Sequence, residues 1–264
     1  GTSQTIEARE GTPNLSLSGN GDFFSIDLTD GVRVFSTRSG DSWLFDAKSA
    51  VFVGDELWLF TAAPESAVGS FRYIGGKWAS HGLCAVPGVD ASDECAWTCA
   101  SARRRLGFLY HVRNSDNKAT FRVSRKNDGS LALRRLGSYE VAALSPDGRV
   151  YGALVGEASF PATVVDGDMT VLPHILFDTY LTSSRMMWLA EDELLLCPDD
   201  GPLVGAVWSV LEQRIVRAYR AKSDTWRIIP ADPGHLVIIS RDSAAVMLNG
   251  RIEESDRIEV QELD

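Results

Sequence analysis

Short runs of Val, Ile, Leu, Phe, Tyr and Trp recur along the whole chain, separated by Asp-Gly, Asn-Gly, Gly-Gly and Asp-Pro-Gly. Apolar runs bounded by such turn residues predict strands joined by hairpins. Six stretches share one layout, a polar turn passing into an apolar strand: "NGDFFSIDL", "VGDELWLFT", "RRRLGFLYHV", "DGRVYGALV", "EDELLLCP" and "PGHLVIIS". Their first apolar residues are Phe23, Leu57, Leu106, Val150, Leu194 and Leu236, at intervals of 34, 49, 44, 44 and 42 residues. About a dozen residues after each anchor a second strand follows: "GVRVFST", "GSFRYI", "ATFRVS", "PATVVD", "GAVWSV" and "AAVMLN". Residues 207–221 hold the best helical pattern, with Val207, Leu211, Ile215 and Tyr219 four apart; they read equally as two strands around Glu212-Gln213-Arg214.

A period of about 40–45 residues with four short strands per unit is the signature of a β-propeller blade. One blade leaves both faces of its sheet uncovered, so blades must stack. The expectation is an all-β chain, one domain over residues 1–264, built as a six-bladed β-propeller of four-stranded antiparallel blades. Closure is expected from pairing of "TIEAR" (5–9) with "RIEVQEL" (257–263), because an unpaired edge invites aggregation. Residues 80–102 read as an irregular insertion between the second and third units.

Two segments resemble a known repeat family. "GAVWSVLEQRIVRAYRA" resembles the third and fourth strands of WD-repeat blades, and "DGVRVFSTRSG" resembles the same pair with Phe35 where that family often has tryptophan. The ends "GDSW", "GGKW" and "SDTW" are similar to kelch-type blades, in which a tryptophan closes one blade before the next begins. The resemblance implies a degenerate WD-repeat-like or kelch-like propeller.

Composition changes this picture little. At 264 residues and 44% hydrophobic the chain can bury a large core, and no apolar run approaches the roughly 18 residues that cross a bilayer. "GTSQTIEARE" has neither a basic start nor an apolar stretch, so no secretory leader is read there. A net charge of −10 argues against nucleic acid as partner. Charge is uneven, however: between Arg103 and Arg135 ten Lys or Arg face only Asp116 and Asp128. Arg103, Arg104, Arg105, Arg125, Lys126, Arg134 and Arg135 are therefore candidates for docking an acidic protein surface, against the plainer reading of a solvated face.

Catalytic chemistry is sparse. Gly40-Asp41-Ser42 resembles the GDSL-type esterases, and Asp232-Pro233-Gly234-His235 reproduces their Asp-x-x-His spacing. The resemblance implies Ser42 as nucleophile, His235 as its base and Asp232 as the orienting carboxylate, on an α/β sandwich with a helix directly after the serine. "SWLFDAKSAVFVG" instead continues as strand and turn. Trp43, Trp78 and Trp226 could stack on sugars in a lectin-like propeller, or pack blade on blade. Cys84, Cys95, Cys99 and Cys197 lack metal-site spacing, and Cys95 and Cys99 would stand about 13 Å apart in a strand, too far for a disulfide. No phosphate loop, metal site or cofactor is expected, and His81, His111, His174 and His235 read as structural. The sequence thus reads as a non-enzymatic protein-interaction scaffold, a monomer or part of a larger complex away from membranes, in the cytoplasm where thiols stay reduced.

Overall fold

The first anchor stretch forms a hairpin. β1 (Leu15–Leu17), β2 (Phe23–Leu28), β3 (Gly31–Ser36) and β4 (Ser42–Phe45) make one antiparallel sheet in that order. Asp30-Gly31 turns β2 into β3. Gly31 has φ +143°, and a Cβ there would lie 2.4 Å from the Phe45 carbonyl oxygen, so only glycine lets β3 start beside the end of β4. The computed structural model describes residues 15–62, 65–90, 92–114, 117–156, 160–177, 179–181, 185–198, 203–221, 227–232, 235–240, 243–249 and 258–263. Its chain divides into two compact units, 1–138 and 139–264.

The first unit holds two more four-stranded antiparallel sheets. One is β5 (Ser49–Val53), β6 (Glu56–Thr61), β7 (Ala67–Ile74) and β8 (Lys77–Ala85); the other is β9 (Glu94–Ser101), β10 (Leu106–Asn114), β11 (Asn117–Arg125) and β12 (Leu131–Gly137). β5 packs against β1 and β2 on one side and β9 on the other. The middle sheet's inner strands β5 and β6 are consequently buried on both faces. Ala50, Phe52, Leu57 and Leu59 meet Val32 and Val34, while Val51, Val53, Trp58 and Phe60 meet Trp97, Leu109, Phe121 and Val123. A strand covered on both faces reads as an unbroken apolar run, which "ELWLF" does. Gly107 completes the second interface, because a Cβ there would come within 2.9 Å of the Trp97 ring.

The second unit repeats the plan. β13 (Tyr139–Leu144), β14 (Val150–Val155), β15 (Phe160–Val165) and β16 (Asp168–Val171) form a four-stranded sheet, followed by a ribbon of β17 (Ile175–Leu176) and β18 (Thr179–Tyr180). β19 (Arg185–Trp188), β20 (Glu193–Cys197), β21 (Leu203–Ser209) and β22 (Arg214–Ala221) come next, and β23 (Arg227–Asp232), β24 (His235–Ser240) and β25 (Ser243–Asn249) form a three-stranded sheet. Residues 207–221 are two strands, with Gln213 left-handed at φ 53° in their turn. Among the described residues there are thus six sheets of three to five strands. In all six the anchor residue opens, or is second in, the second strand.

One expectation changes. Residues 80–102 are not an irregular insertion: they lie mostly in β8 and β9, with only 86–93 between them. The C-terminal strand β26 (Ile258–Glu262) runs antiparallel to β22, from Arg217↔Glu262 to Ala221↔Ile258, as the fifth strand of that sheet. It is drawn there by Val260 and Leu263, which pack on the sheet's two apolar faces, and by Glu262, which accepts from Arg217 Nε at 2.9 Å. Residues 5–9, its expected partner, lie outside the described residues.

Candidate functional site

The arginine run falls in the tight turn 102–105 between β9 and β10, with Arg103, Arg104 and Arg105 all exposed. Arg105 is left-handed (φ 50°), its N–H donates to the Ala102 carbonyl, and its own carbonyl accepts the Arg125 N–H at 2.9 Å. Lys126, exposed in the β11–β12 turn, lies at the same end of the sheet because β11 runs antiparallel to β10 and ends beside its start. Arg134 and Arg135 are exposed on the outer strand β12, opposite Arg122 and Phe121, away from that end.

Arg125 does not belong to this surface. Its side chain is only 3% exposed, and its guanidinium donates to Glu56 Oε2 (2.9 and 2.5 Å), to Ser70 Oγ (2.6 Å) and to the Gly129 carbonyl. It sits on the face of β11 that buries Ala119, Phe121 and Val123, where a charge must find a partner. Glu56 also accepts from Trp58 Nε1 (3.1 Å) and from Arg72 Nε (2.7 Å), with His81 Nε2 at 3.7 Å. Burial works to raise the Glu56 pKa, but the bonds from Trp58, Arg125 and Arg72 together outweigh it and hold the carboxyl below its ordinary value.

Beside this network a recess of about 390 Å³ opens between the β5–β6 turn and the arginine turn, lined by Val53, Gly54, Asp55, Glu56, Arg72, Ala102 and Arg105. The two turns are seated together: a Cβ on Gly54 would touch Ala102 at 3.6 Å, and the Gly54 carbonyl accepts the Gly19 N–H at 2.8 Å. Arg72, Glu56 and Asp55 were not singled out from sequence. Only the coincidence of a charged pair with strand starts in "GDELW" and "GSFRYI" could have found them.

The other chemical candidates fall into structural roles. Ser42 opens β4 and is followed by strands, and among the described residues there is no helix such as the esterase resemblance implied directly after the serine. Asp232 ends β23 and His235 begins β24, paired across that hairpin. Trp43 and Trp78, both half-buried, pack with Phe23 and Tyr73, all six ring pairs lying at 4.9–6.2 Å. Trp226 lies outside the described residues.

A second recess is lined in part by Lys48, Asp93, Cys95 and Tyr110. Asp93 bonds Arg113 and the Asp90 N–H, and lies 2.8 Å from His111; Arg113 foremost holds its carboxyl well below the usual range. Burial, foremost, pushes the Cys95 thiol up to about 12, which favours its neutral form. All four cysteines are free thiols, and no group of three metal-ligating side chains occurs among the described residues.

No family model and no curated protein sequence matches the chain. Solved structures do. Kluyvelomyces marxianus Hsv2 superposes with a TM-score of 0.53 at 10% identity, over 90% of this chain and 76% of that one. The beta-propeller domain of Myceliophteria thermophila Cps50 (Swd1) gives 0.50 at 10% identity, over 95% and 83%. The dihydro-heme d1 dehydrogenase NirN, in complex with DHE, gives 0.55 at 13% identity, over 92% of this chain and 57% of that one. At such identities the likeness is one of fold. With the anchored sheets and their adjacent first strands, it identifies the chain as a β-propeller.

Proposed function

We propose that this protein is a non-enzymatic interaction scaffold that docks an acidic surface of a partner protein on the turn Arg103–Arg105 and the neighbouring Lys126. The observation that carries this reading is three consecutive exposed arginines on a braced turn, in a protein whose net charge is −10. A local cationic patch on an acidic body steers an acidic partner to one place and repels it elsewhere. Free thiols throughout fit a reducing compartment such as the cytoplasm. The test is affinity capture comparing wild type with Arg103→Glu/Arg104→Glu/Arg105→Glu. Partners captured by wild type should be lost from the triple variant, whose melting temperature should stay within a few degrees. Equal recovery of every partner would leave the turn a solvated face.

A further inference from the structure

We infer that the recess between the β5–β6 turn and the arginine turn is a socket for one acidic side chain of the partner, an Asp or Glu within a peptide. Its carboxylate bridges Arg72 and Arg105, and the peptide's own N–H reaches Asp55. This rests on the reading of the arginine turn as the docking surface and specifies what enters it.

Three features carry the inference. Arg105 is a long side chain held at φ 50°, a left-handed conformation that residues with a Cβ rarely adopt. Its side chain lines the recess, and its guanidinium makes no side-chain hydrogen bond or ion pair among the described residues. Arg72 spends two of its five N–H donors on Glu56 Oε1 and keeps three. Glu56 in turn is shared among Arg72, Arg125 and Trp58, so its charge is already compensated and Arg72 is locked in place. Two oriented guanidinium groups across a small recess match a carboxylate, the geometry in which arginine bonds are strongest.

Size and the opposite charge select the occupant. About 390 Å³ is near the lower end of small-ligand sites, room for a side chain rather than a folded element. Exposed Asp55 accepts the Asn20 N–H on Oδ1 at 3.0 Å, leaving Oδ2 for a donor from the ligand. A carboxylate beside two acidic walls is repelled less than a phosphate dianion, and a peptide brings the N–H that a free anion lacks.

The probe is a dye-labelled, N-acetylated, C-amidated peptide of alternating Glu and Gly, with a Gln-Gly peptide as control, read by fluorescence anisotropy at low and moderate salt. The Glu peptide should bind the full chain and the Gln peptide should not. Arg105→Gly should weaken binding by about tenfold or more while leaving the melting temperature unchanged or higher, because glycine relieves the left-handed strain. Arg72→Gln should weaken it comparably; Arg134→Gln and Arg135→Gln should change it by less than about threefold. Absence of Glu-peptide binding, or equal losses at Arg105 and Arg134, overturns the socket. Displacement by inorganic phosphate at concentrations well below those needed of N-acetylglutamate amide overturns it in favour of a phosphate site. Partner capture by the triple Glu variant is scored separately, so loss of capture without a socket leaves the scaffold reading standing.

Discussion

Two Arg–Glu pairs, one in each unit, join strands in opposite ways. Arg125 and Glu56, on sheets β9–β12 and β5–β8, are 3% and 10% exposed, and each makes further bonds around them. Arg217 and Glu262 join β22 to β26, with Arg217 10% exposed but Glu262 69% exposed. The chemistry is the same and the worth is not. A pair taken wholly out of water cannot lose one member without stranding the other, whereas an exposed carboxylate exchanges its partner for water.

The sharpest break of this comparison is Arg125→Ala, expected to cost about 3–5 kcal/mol because Glu56 stays buried with part of its compensation gone. Urea unfolding measures it, and adding Glu56→Leu should recover part of the loss. A cost below about 1 kcal/mol would show that the network is no more than a surface pair. Next, removing residues 257–264 should cost about 2–3 kcal/mol, since the edge of β22 and the apolar area covered by Val260 and Leu263 are exposed together. An unchanged denaturation midpoint would mean β26 adds nothing.

Acid gives a smaller effect. The Glu56 carboxyl lies below its ordinary value of 4.5 when folded, so its contribution is complete above pH 4.5 and fades as pH falls through the folded value. The gap in stability between wild type and Arg125→Ala should therefore narrow from pH 7 to pH 3, because Asp93 titrates alike in both and cancels. A gap that widens would reverse the assignment. Smallest of all, Glu262→Gln should shift stability by no more than about 1 kcal/mol, and added salt should shrink even that. A larger loss would make the two junctions equivalent.

The repeat was legible because each anchor is an apolar residue placed directly after a turn, and that placement survives even where blades differ. β8 was not. As an outer strand it exposes Lys77, Ser80, His81, Leu83 and Ala85, so it carries no apolar stripe and was absorbed into an apparent insertion. β9 did carry a signal in the alternation of Cys95 and Trp97, both buried. For the site, the turn Arg103–Arg105 was visible as a run of charge, but charge alone could not separate Arg125 from its neighbours. Parity could: Arg125 shares the face of Ala119, Phe121 and Val123, so a period-two reading puts it inside. Glu56 stayed hidden because its role arises from contact with Arg125 of another sheet, 69 residues away, and Arg72 because its role arises from its bond to Glu56.

The pairing of β26 with β22 also sets an order of events during synthesis. Arg217 and Glu262 are 45 residues apart, and the whole of β23–β25 is made between them. At about 5–20 residues per second, the outer edge of β22 stays open for a few seconds after it emerges from the ribosome, with Tyr219 uncovered. During that interval any extended segment with a carboxylate opposite Arg217 competes for the edge, so the last strand acts as the chain's own chaperone, closing the window when residues 258–263 arrive.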